Sequence, residues 1–118
     1  MNENHWGYTQ SIDLYDCPRE LLKSEKFIHD FLLGLCKPID MVPYGEPIVK
    51  RFGEGSLEGV SGFLFIMTSS IIVHCDEVKN RVFIDIFSCK AFDYEKSLDF
   101  VLKAFKTKNY RQNAFTRG

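Results

Sequence analysis

The chain has 118 residues, 45% of them hydrophobic, with 15 Lys and Arg against 16 Asp and Glu for a formal charge of -1, which fits one compact domain around a single core and leaves no room for a second. The even balance supplies no basic field to hold a phosphate backbone, so nucleic acid is a poor partner, and no apolar run reaches the ~18–20 residues that cross a bilayer. Cys17, Cys36, Cys75 and Cys89 include no C-x-x-C pair, and Met1-Asn2-Glu3-Asn4-His5 lacks the basic and apolar regions of a signal peptide, which together predict a reduced, cytoplasmic protein with no metal site.

Tyr8 to Tyr15 alternates Tyr8, Gln10, Ile12 and Leu14 with Thr9, Ser11, Asp13 and Tyr15, the period of a strand with two differently used faces. It stops at Asp16-Cys17-Pro18. Pro18 suits a first helical turn, and Leu21, Ile28, Leu32 and Leu35, joined by Phe31, recur at helical spacing until Pro38, which predicts one amphipathic helix. After a turn around Pro43-Tyr44-Gly45, Pro47 to Phe52 reads as extended, and Gly53-Glu54-Gly55 breaks it. Three extended runs follow, Val60 to Met67, Ile71 to Cys75 and Arg81 to Phe87. Their short connections make them antiparallel neighbours. In the third, Phe83, Asp85 and Phe87 share a face, so an acid lies between two aromatics. Asp93 is a good N-cap for a second helix with Leu98, Val101, Leu102 and Phe105 on one stripe and Lys103 and Lys106 near its end. Asn109 to Phe115 reads as a last strand. The order β-α-β-β-β-β-α-β predicts an α+β fold, an antiparallel sheet with two helices on one face.

Chemistry concentrates between Gly59 and Cys89. Gly59-Val60-Ser61-Gly62 opens an apolar strand, Thr68-Ser69-Ser70 follows it, His74 comes five residues after Ser69, and Ile84-Asp85-Ile86-Phe87-Ser88-Cys89 places a cysteine twenty residues after that serine. Taken singly, small polar residues at a strand turn, a strand histidine and a strand cysteine are ordinary structural features. Jointly, their spacing resembles the short bacterial and archaeal form of the S-adenosylmethionine decarboxylase family. Trp6-Gly7-Tyr8, Asp13-Leu14-Tyr15-Asp16-Cys17 and Thr116-Arg117-Gly118 look like the family's ends, so the resemblance covers nearly the whole chain.

That resemblance implies a self-processing enzyme of polyamine biosynthesis, cut between Thr68 and Ser69, whose cofactor is a pyruvoyl group made from Ser69. The Ser69 hydroxyl would attack the Thr68 carbonyl in an N-to-O acyl shift, which needs a strained turn and an oxyanion donor. By the same resemblance Ser61 is that donor, His74 the general base on the Ser69 Cα hydrogen, and Cys89 the group that returns a proton to the decarboxylated carbon. The ketone would form a Schiff base with the substrate amine and take up the electrons released with CO2. Family precedent and the 14% aromatic content favour a homodimer of processed chains.

Three departures bear on these expectations. Thr68 stands where relatives commonly carry Glu, a tolerable change because the attacked group is a backbone carbonyl. Ser70 replaces a histidine frequent in the short forms. Nucleoside-binding members carry H-T-W-P-E, whose glutamate holds the ribose hydroxyls, where this chain has His74-Cys75-Asp76-Glu77-Val78; either Glu77 is displaced by one position or the ribose contact is gone. Some members decarboxylate L-ornithine or L-arginine, and Trp6-Gly7-Tyr8 with Gly45-Glu46-Pro47-Ile48 resembles those phage-like forms. A basic amino acid needs an acid for its distal cation. By charge Glu54, Glu58, Asp76, Glu77 and Asp85 are candidates, and Asp85 leads because it sits among apolar residues. The competing readings are a catalytically silent member that binds a partner or polyamine-like ligand, and an unrelated α+β regulatory module.

Overall fold

A computed structural model describes residues 5–118; Met1 to Asn4, used above in the signal-peptide expectation, lie outside the described residues. Six strands form one antiparallel sheet: β1 (Gly7–Tyr15), β2 (Ile48–Phe52), β3 (Gly59–Ile66), β4 (Ser69–Asp76), β5 (Arg81–Ser88) and β6 (Asn109–Arg117), in the spatial order β2-β3-β4-β5-β1-β6. The helices are α1 (Arg19–Leu22), α2 (Glu25–Cys36) and α3 (Tyr94–Ala104).

Period-two patterning sorts the side chains. Ile12 and Leu14 of β1, Val60, Leu64 and Ile66 of β3, Ile71 and Val73 of β4, and Val82, Ile84 and Ile86 of β5 are buried, meeting Ile28, Phe31, Leu32 and Leu35 of α2 and Leu98 and Val101 of α3. Phe105, just past α3, is fully buried and makes edge contacts with Phe27 and Phe31 at centroid distances of 5.3 and 4.8 Å, geometry that adds to the gain from burial. Both glycines of Gly59-Val60-Ser61-Gly62 are packing residues. A Cβ on Gly62 would lie 2.8 Å from Leu32 Cδ1, and one on Gly59 would lie 2.5 Å from the Cys75 carbonyl oxygen.

The opposite, open face carries Ser61, Phe63, Phe65, Ser70, Ile72, His74, Phe83, Asp85 and Phe87. Among the described residues, no helix is long and apolar enough to cross a membrane.

The one helix expected from Pro18 to Leu35 is two. Ser24 has extended backbone and its Oγ accepts the Phe27 amide at 3.0 Å, so a new helix is capped there. The apolar spacing hid the break because both pieces bury side chains in the same core. Asp93 caps α3 as expected, Oδ1 accepting from the Glu95 and Lys96 amides at 2.9 and 3.0 Å. The strand expected from Ile71 starts at Ser69 instead, leaving only Met67 and Thr68 in the β3–β4 turn.

Candidate active site

Ile66 faces Ser69 across the β3–β4 hairpin, so Met67 and Thr68 form a two-residue turn. Such turns call for positive φ and favour Gly, Asn or Asp. Here Thr68 takes the left-handed conformation at φ 62°, which for a β-branched residue costs on the order of 1–3 kcal/mol. The strain therefore sits at Thr68, immediately before Ser69.

Ser69, first in β4, is buried, and its Oγ accepts the Cys89 backbone N–H at 3.3 Å. Cys89 is brought there because Ser69 faces Ser88 in the β4–β5 register and because Ser88, fully buried, turns the chain sharply after β5. Its hydroxyl accepts from the Lys90 amide at 2.9 Å and donates to the Lys90 carbonyl at 2.7 Å. The Cys89 thiol then lies 2.6 Å from Thr68 Oγ1. Burial pushes the Cys17 and Cys75 thiols up to about 12 and the Cys36 thiol to about 11, whereas Cys89 is partly exposed. A cavity of about 370 Å³, lined by Tyr44, Phe65, Ile66, Met67, Thr68 and Ser69, opens on this turn.

Ser61 and His74 form a second cluster. They are register partners on the open face, with Ser61 Oγ 2.9 Å from His74 Nδ1. In the tautomer protonated on Nδ1 the ring donates to Ser61 and leaves Nε2 free to accept a proton. His74 is five residues beyond Ser69 on one strand, about 17 Å away at ~3.3 Å per residue, and the odd separation puts the two side chains on opposite faces. One chain therefore brings together Thr68, Ser69 and Cys89, and separately Ser61 and His74. It does not bring the two groups to each other.

Of the expected substrate acids, Glu77 is taken: its Oε1 accepts from Arg51 Nη2 at 2.9 Å, and this hydrogen-bonded carboxylate holds the Arg51 guanidinium above its usual range. Asp76 is bound by Arg81 at 2.7 Å and accepts the Lys79 amide at 3.3 Å. Asp85 does lie between Phe83 and Phe87 on its face, but that face is open and the carboxylate is exposed, accepting the Ser11 hydroxyl at 2.8 Å. Among the described residues it has no ion-pair partner. A second cavity of about 340 Å³ is lined by Leu57, His74, Asp76, Lys79, Arg81 and Phe83 among others.

Comparison with known proteins bears on this site. The chain matches the S-adenosylmethionine decarboxylase family over residues 9–118. It belongs to that family. It is 28% identical over 113 residues to an S-adenosylmethionine decarboxylase proenzyme of Pyrococcus furiosus, covering 95% of this chain and 78% of the relative, and 29% identical over 114 residues to one of Thermococcus kodakarensis, covering 95% and 76%. The crystal structure of the adenosylmethionine decarboxylase from Aquifex aeolicus superposes with a TM-score of 0.80 at 17% identity, covering 97% of this chain and 92% of that one, and shares its fold. Family membership makes the chain a pyruvoyl-dependent decarboxylase whose cofactor comes from one of its own serines.

Sequence reasoning missed Ser88, whose signal is a serine at the end of an apolar strand two residues before the group it caps, and Arg51, which it left as one basic residue in an extended run.

Proposed function

We propose that the chain cleaves itself between Thr68 and Ser69, turns Ser69 into the pyruvoyl group and decarboxylates a small amino-acid-like substrate of polyamine biosynthesis. The observation that carries this reading is Thr68 held at φ 62° at the bond to be cut, beside a serine hydroxyl fixed by the Cys89 amide. The Ser69 oxygen attacks the Thr68 carbonyl carbon, and the C–N bond gives way to an ester with the amine freed. A base then removes the Cα hydrogen of residue 69, the ester C–O bond breaks and Thr68 departs as a carboxylate. The remaining dehydroalanine takes up water and loses ammonia.

The site fits the group. Residue 69 borders a cavity, with the Cys89 thiol beside the turn. Once formed, the pyruvoyl ketone supplies the sink for the electron pair released with CO2. Cys89 returns the proton. We assign the base of processing to His74 and its oxyanion donor to Ser61. Since that pair lies about 17 Å along the strand from its own Ser69, it serves the turn of a second copy. The aromatic open face, with Phe63, Phe65, Phe83 and Phe87, is the surface on which that copy packs. The working form is then a homodimer of processed chains in a reduced, cytoplasmic setting.

L-arginine or L-ornithine is the favoured substrate. Both acids that follow His74 are held by arginines and would have to give them up to reach ribose hydroxyls, while Asp85, on the open face with His74 and so directed like it to the site of the second copy, has a serine hydroxyl as its side-chain partner among the described residues and remains available to a distal cation. The names of the relatives support S-adenosylmethionine as the second reading, in which Glu77 trades Arg51 for the ribose. Parallel assays of CO2 release from all three, with Ser69→Ala as the blank, decide between them. Arginine or ornithine should lead, and a clear preference for S-adenosylmethionine would return the ribose contact to Glu77. Release from none would leave a silent binding member.

A further inference from the structure

Thr68 Oγ1 lies 2.6 Å from the Met67 carbonyl oxygen and 2.6 Å from Cys89 Sγ. A hydroxyl has one proton to give, and a carbonyl oxygen only accepts. The Thr68 proton therefore goes to Met67, and the remaining contact is satisfied only when the thiol donates to Thr68. We propose that the Thr68 hydroxyl is the positioning group for Cys89, accepting its S–H and so aiming the thiol at the turn beside residue 69. A proton donor must be held within reach of the carbon it serves. The inference rests on the reading of Cys89 as the donor to the substrate carbon.

The surrounding structure keeps the pair together on both sides. Ser88 fixes the turn that carries Cys89. The segment from Asp40 to Tyr44 runs beside the end of β3: the Val42 carbonyl accepts the Met67 amide at 3.1 Å, the Tyr44 amide donates to Phe65 at 2.8 Å, and Pro43 bridges to Ile66. Lys90, next to Cys89, ties this strap back to the same turn, its Nζ donating to the Asp40 carbonyl at 2.9 Å and meeting the Asp40 carboxylate at 3.3 Å. None of these bonds involves the peptide between Thr68 and Ser69, so a cut there removes none of them. The role belongs to a hydroxyl at position 68, and the glutamate that family resemblance expects there has none.

The other three thiols are buried and hard to ionise, so mild alkylation reports Cys89 alone. The measurement is the rate of iodoacetamide alkylation at Cys89 at neutral pH, located by peptide mass, in Ser69→Ala chains that stay uncut. Thr68→Val keeps the β-branch without the hydroxyl, and Thr68→Ser keeps the hydroxyl. With the acceptor gone the thiol is no longer anchored, so Thr68→Val should alkylate about three- to tenfold faster at neutral pH, and Thr68→Ser should match the parent. An unchanged or slower rate in Thr68→Val overturns the proposal, as does equal acceleration in Thr68→Ser. Thr68→Ala carries the same test where Thr68→Val does not fold. The readout needs neither cleavage nor turnover, so its failure is distinct from a failure of the decarboxylase reading.

Discussion

Thr68→Gly tests whether the strained turn serves the cut. The wild-type residue holds φ 62° with a branched side chain, at a cost of roughly 1–3 kcal/mol, and glycine removes that cost while giving back about 0.5–1 kcal/mol through the freer unfolded chain. In an uncut Ser69→Ala background the glycine variant should therefore be about 0.5–2 kcal/mol more stable, read from urea midpoints at unchanged slope. In the Ser69 chain the same strain is lost from the ground state before the acyl shift, so cleavage should slow by roughly 5- to 150-fold. Thr68→Val retains the branch and should cut at the parental rate. The assay is a time course of fragment appearance from freshly made chain at one temperature. Cleavage of Thr68→Gly as fast as the parent, with the stability gain present, would show that strain plays no part in the cut; no gain at all would show that the turn stores none.

Cys89→Ala should leave cleavage intact and depress CO2 release, because the thiol is assigned a step after cofactor formation; loss of cleavage would move Cys89 into processing. Ser69→Ala and His74→Ala should each remain uncut alone, yet coexpression should cut His74→Ala chains, up to the half that pair with the other variant under random mixing. Only Ser69→Ala supplies the histidine in such pairs, so no cutting at all would place His74 in its own chain's site. Asp85→Asn should raise the KM for L-arginine or L-ornithine by about ten- to a hundredfold if its charge meets the distal cation. An unchanged KM would assign Asp85 to the open face alone.

Alternation made most of the sheet readable. Phe83, Asp85 and Phe87 share a face as their spacing requires, and the buried partners Val82, Ile84 and Ile86 point to the helices. Residue parity also held a message that the family spacing concealed: Ser69 and His74, five apart on one extended run, must face opposite ways. The exposure of Asp85 was not legible, because apolar neighbours on a strand do not say whether a second layer covers them. The break at Ser24 was masked by continuous helical spacing. Arg51 meets Glu77 across 26 residues of chain, and pairing of that kind follows from sheet register, which no local pattern reports. Thr68 as a left-handed residue ran against propensity. Such local conflict is frequent where a fold stores strain for chemistry.

The intact mass of the purified, denatured protein tests self-processing most directly. The expected result is two species, residues 1–68 ending in a free carboxylate and residues 69–118 lighter by one ammonia than a hydrolytic fragment would be, with an amino terminus closed to Edman chemistry. A single species at full mass after prolonged incubation, or a second fragment that begins with an ordinary serine, would contradict it.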